Sequence, residues 1–167
     1  MMGNSPFEKY LSYFPPMELP VTVQYDDLYR YNRENDAIPD GLMDVFLVPH
    51  LDFVPDEMTE FMPCFHFIGE GGMIHCVIWS GRLMRHSFYV MNYTSHGQFL
   101  SQAEIAGFYA VDKDVFQRMA HIGEEGEISI VETNLSTLES TISIDHTTKW
   151  QLHILPDGAI RKIPVEW

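Results

Sequence analysis

The sequence predicts a mainly β fold at the margin of α+β. It reads as a single domain, an antiparallel meander of hairpins forming a curved sheet, sandwich or partial barrel, with a short N-terminal helix. Three observations predict this. Phe61 to Ala110 consists of dense apolar and aromatic runs broken at glycine turns. The chain beyond repeats the same run-and-turn spacing, and Phe7, Tyr10, Leu11 and Phe14 recur at helical spacing near the start. The layout expected over residues 1–167 is a helix at about 5–14, a polar and acidic segment at 25–60, and the β-meander at 61–167.

Ser5-Pro6-Phe7-Glu8 is a helix start: Ser5 can cap, Pro6 suits the first helical position, and Glu8 can close a capping box. Pro15-Pro16 stops the helix. Leu19 to Val23 reads as a short edge strand, because Pro20 cannot donate to a ladder. Asp26 to Asp40 reads as irregular, and Gly41 to Val48 as a short helix that Asp40 can cap, with a strand as the alternative. Pro49 to Glu60 reads as loop.

A two-residue turn at Glu70-Gly71 pairs Ile68 with Met73, Phe67 with Ile74, His66 with His75 and Phe65 with Cys76. Further hairpins turn at His96-Gly97, Glu124-Glu125-Gly126 and Pro156-Asp157-Gly158. Ser140–Ile144 is expected as a strand, and Trp150, Leu152 and Ile154 alternate as in a half-buried one.

A chain of 167 residues, 46% hydrophobic, buries about two-thirds of its unfolded surface. The net charge is −14: residues 1–60 carry −9, 61–110 are neutral, and 111–167 carry −5. Acidic flanks repel the phosphates of nucleic acid and anionic lipid, and suit a basic protein partner or solubility. The start MMGNSPFEKY has no basic region followed by an apolar core, so the expected location is cytoplasmic with reduced thiols if this terminus is native, and exported if a leader was removed.

The expected register makes His66 and His75 cross-strand neighbours with Cys64 on the same face, a donor set suited to zinc or copper. Three or four ligands are needed, and His50, His86 and His96 are further candidates. The plainer reading is a hydrogen-bonded histidine pair, and no other cofactor is expected. Cys64 and Cys76 sit in apolar strands, where a thiol stays protonated, and they point to opposite faces, so no disulfide is expected. Gly69-Glu70-Gly71-Gly72 lacks the following helix that a phosphate cradle requires. Asn92-Tyr93-Thr94 matches the glycosylation pattern but lies in a strand. No residue is assigned a catalytic role, and the expectation leans away from an enzyme.

Phe7 to Pro15 followed by Glu18-Leu19-Pro20, the hairpin Asn92 to Leu100, and Asp157-Gly158-Ala159-Ile160 resemble segments of uncharacterised bacterial β-meander proteins. The resemblance implies a mostly antiparallel fold and, for many such proteins, export. It implies no catalytic residues.

Two function classes follow. The first is a non-enzymatic acidic domain of the immunity or inhibitor sort, binding a basic protein through Tyr25, Tyr29 and Tyr31 rimmed by Asp26, Asp27, Glu34 and Asp36. The second is a small-ligand or metal-binding β domain, with enzymatic activity as an option, using the Cys64, His66 and His75 face.

Overall fold

The computed structural model describes residues 5–135 and 147–165. In chain order the elements are α1 (Pro6–Leu11), β1 (Val21–Val23), α2 (Asp27–Glu34), α3 (Asp40–Phe46), β2 (Glu60–Ile68), β3 (Ile74–Arg82), β4 (Arg85–Tyr93), β5 (Phe99–Val111), β6 (Asp114–Ile122), β7 (Ile128–Asn134), β8 (Thr147–Ile154) and β9 (Ile160–Pro164). The nine strands form one open antiparallel sheet. Strands β2 to β9 pair each with the next, and β1 pairs with β6.

The start of α1 follows its sequence: the Ser5 side chain accepts from the Glu8 N–H at 3.1 Å, with Pro6 in the first turn. Asp26 to Asp40 departs from the irregular segment expected. Asp27–Glu34 is a helix whose Leu28 and Tyr31 pack inward, so burial of one face overrides its polar composition. Pro39, not Asp40, occupies the cap position of α3, and no side chain caps it. The stretch read as loop after it holds a 3-10 turn at Val48–His50, and Glu60 already belongs to β2. The strand expected at Ser140–Ile144 lies outside the described residues.

The first hairpin corrects the expected register by one residue. Its loop spans Gly69 to Met73, closed by Gly69 N–H to the Met73 carbonyl at 2.8 Å, with a 3-10 turn at Glu70–Gly72. Gly71 and Gly72 both have positive φ, which lengthens the loop beyond a two-residue turn. Ile68 therefore faces Ile74, Phe67 faces His75 and His66 faces Cys76. A bulge between Pro63 and Phe65 then leaves Cys64 and Phe65 in the same core.

β5 is where the sheet folds over. Gly107 to Val111 pairs with the first half of β6, and β1 takes the flank of β6 beyond it, setting Val23 against Ala120 and Val21 against Ile122. Gly107 has φ +136°, and a Cβ there would stand 2.2 Å from the His86 carbonyl oxygen, so only glycine allows this approach.

Two cores result. The inner core joins Phe65, Phe67, Val77, Phe88, Val90, Ile105, Ile122, Ile130 and Leu152, with Tyr31 of α2 covering it. The outer core joins Ile74, Cys76, Ile78, Tyr89, Met91 and Tyr93 to α1 and α3. Phe7 packs on Phe46 and Tyr93 at 5.4 and 5.1 Å, and the Tyr93 hydroxyl donates to the Phe46 carbonyl at 2.6 Å.

Candidate functional site

The register decides which side chains meet. His66 pairs with Cys76, and its Nδ1 lies 2.6 Å from the Phe14 carbonyl on the side of α1. His75 stacks on Phe67 of the inner core, with ring centroids 4.7 Å apart. The two imidazoles therefore occupy opposite faces, because the five-residue loop moves β2 one residue along β3. Cys64 is buried beside the bulge, its thiol directed at the Met62 carbonyl, and burial pushes its pKa up. The Cys64, His66 and His75 set does not converge, and among the described residues no group of three or more His, Cys, Asp and Glu is placed to hold a metal. His50 stacks on Phe99 and His86 meets Trp79 edge-on, each as a packing residue. Cys64 and Cys76 are both buried and free.

The tyrosine and acid group also separates. Tyr31 is 3% exposed in the inner core, its hydroxyl accepting from Arg30 Nη2 at 2.6 Å. Tyr25 packs on Phe108 at 5.4 Å, and Asp27 accepts from the Gln24 N–H. Tyr29, at 63% exposure, remains on the surface with Asp26, Glu34 and Asp36. Arg30 and Arg33 share their helix, so α2 itself is electrically balanced.

The strands do assemble a different site around His75. Phe67, His75, Asn92 and Ser101 lie in one row across β2, β3, β4 and β5, each the pairing partner of the next. Their side chains form a chain of contacts. His75 Nδ1 lies 2.7 Å from Asn92 Oδ1, Asn92 Nδ2 donates to Ser101 Oγ at 3.0 Å, and Ser101 Oγ donates to the Gly158 carbonyl at 2.5 Å. Because the Asn92 nitrogen is committed to Ser101, its oxygen faces His75, and Nδ1 carries the imidazole proton. Nε2 is left as an acceptor. It makes no hydrogen bond among the described residues, although His75 is only 5% exposed. Burial lowers the His75 pKa more than the bond to Asn92 raises it, so the ring is neutral near pH 7.

Nε2 sits against the backbone of Gly69, where an added Cβ would approach it to 2.5 Å. Beyond lies a cavity of about 520 Å³ at the end of the sheet. Three turns frame it: Gly69 to Met73, Gly123 to Glu127, and Leu155 to Ala159. Met73, Ile154 and Pro156 supply apolar wall, while Glu70, Glu124 and Glu125 supply carboxylates. The ion pairs found among the described residues lie elsewhere, linking Arg85 and Arg118 to Glu104 and Glu132.

Family profiles, curated proteins and solved structures give no match to this chain. Among the described residues, no helix is long and apolar enough to cross a membrane.

Sequence reading singled out His75, but for a different partner. It places Asn92 in a glycosylation pattern and Gly69 in a glycine-rich turn, and it passes over Ser101. The usable signal was the strand pattern itself: a polar residue at the same height in three successive apolar strands marks a buried polar row.

Proposed function

We propose that the protein binds a small organic molecule in the cavity at the turn end of the sheet, with His75 as the polar anchor. The observation that supports this is one buried imidazole whose Nδ1 is tethered while its Nε2 is left without a partner beside the cavity. A ligand N–H or O–H in the cavity would donate to this nitrogen. The cavity volume falls within the range of small-molecule sites.

Gly69→Ala tests the reading. Gly69 has φ −98°, which alanine adopts freely, so the methyl acts on the His75 ring, whose Nε2 it would meet at 2.5 Å and displace. Screening fragments by NMR should find compounds that shift the His75 ring resonances. Gly69→Ala should weaken them at least about tenfold, the scale of one buried hydrogen bond. Unchanged affinity, or no fragment that reaches His75, would refute the site.

A second reading is an acidic domain that binds a basic protein. It draws on the charge of −9 in residues 1–60 and on exposed Tyr29 among Asp26, Glu34 and Asp36. Neutralising Asp26, Asp27, Asp36 and Asp40 should then abolish partner capture, and an unchanged set of partners would sink it.

A further inference from the structure

We propose that the His75 cavity is selective for a small protonated amine bearing at least one N–H and a short hydrocarbon body. This rests on the ligand-binding reading and names the chemistry of its ligand. Three features of the cavity point the same way.

First, its polar lining is made of acceptors. Glu70, Glu124 and Glu125 come from two different turns, and among the described residues no Lys or Arg lines the cavity. None of the three carboxylates takes part in an ion pair or side-chain hydrogen bond among the described residues. Exposed glutamates at turns are ordinary in themselves. What distinguishes this group is the second feature, a buried imidazole opening on the same space, with its lone pair rather than its proton available. An ammonium has only donors and so matches both. A carboxylate or phosphate ligand would meet a lone pair and three like charges. A quaternary ammonium would satisfy the charges and leave Nε2 unbonded.

Third, Met73, Ile154 and Pro156 give the cavity an apolar wall, which a hydrocarbon body can cover. The chain's net charge of −14 adds a long-range field that concentrates cations at such a mouth. The neutral imidazole matters here: a protonated ring would both lose its acceptor and repel the ligand. Acidification below the His75 pKa should therefore weaken binding.

The experiment uses three probes of one shape: 2-phenylethylamine, 2-phenylethanol and 3-phenylpropionate. Affinity is measured by calorimetry, and occupancy of the site by the His75 ring resonances. The amine should shift those resonances and bind about tenfold or more tightly than the alcohol, because charge-assisted hydrogen bonds exceed neutral ones. The propionate should not bind. Glu70→Gln with Glu124→Gln and Glu125→Gln should bring the amine down to the level of the alcohol. These are exposed turn positions, so the fold is not at risk. An alcohol or propionate that binds as tightly as the amine, with His75 shifted, overturns the charge selectivity and leaves the ligand cavity standing. If no probe reaches His75, both readings fall.

Discussion

At the scale of single residues, His75 is held by what surrounds it rather than by its own chemistry. Asn92, fully buried, faces it from the next strand and fixes which nitrogen carries the proton. Burial keeps the folded-state pKa below the ordinary value of about 6.5. As pH falls, the unfolded chain takes up this proton first. The contribution of His75 to stability is thus intact above about pH 6.5 and is lost as pH drops through the lower folded value. Replacing Asn92 with Asp puts a carboxylate against Nδ1, which favours the imidazolium and should move the midpoint upward. An NMR titration of the His75 ring should show a midpoint below 6.5 in the parent and a higher one in Asn92→Asp; identical midpoints would remove Asn92 as the controlling partner. The pairing itself was hidden in the sequence. The expected turn differs from the observed loop by one residue, and that difference depends on the backbone of Gly71 and Gly72, both at positive φ.

At the scale of elements, strand identity was legible where apolar runs alternate with glycine turns, and α1 where a cap, a proline and an apolar stripe agree. α2 was not, because Leu28 and Tyr31 give it an inward face that only the sheet beneath explains. Nor was the fold-over at β5, where β1 from far along the chain takes the flank of β6 that β5 leaves. An ionic group fastens it. Arg85 grips Glu104 through two bonds at 2.7 and 2.8 Å, and Arg118 reaches both Glu104 and Glu132. Burial pushes the Glu104 carboxyl up, but the bond from Arg85 and the charges of Arg85 and Arg118 hold it below its ordinary value. Its stabilising effect is therefore present above the ordinary carboxylate range and lost as pH falls through the depressed value. Glu104→Gln should cost about 1.5–3 kcal/mol at neutral pH, the range for hydrogen bonds to charged groups. Urea melts of both proteins should converge at strongly acid pH. A penalty that persists there would mean that shape, not charge, is what Glu104 contributes.

At the scale of the whole molecule, the charge pattern anticipated the layout: the neutral stretch 61–110 forms β2 to β5, which contribute to both cores, and the acidic flanks supply the elements around them. The exposed edge of β2 is closed by the chain's own start. The Met17 N–H donates to the His66 carbonyl, the His66 N–H to the Pro15 carbonyl, and the Asn35 side chain covers the carbonyls of Pro63 and Cys64. Such coverage blunts pairing with a second molecule. The insertion of β1 has a further consequence, in time rather than in space. Every other named strand pairs with its immediate successor, so the meander can zip up hairpin by hairpin. β1 must instead find β6 across a separation of 99 residues, as in the contact of Thr22 with His121. Closing so long a loop is slow relative to hairpin formation. Val21 to Val23 should therefore dock after β3 and β4 have formed. Pulse-labelled hydrogen exchange during refolding should protect the β3–β4 amides first, and simultaneous protection of β1 would refute that order.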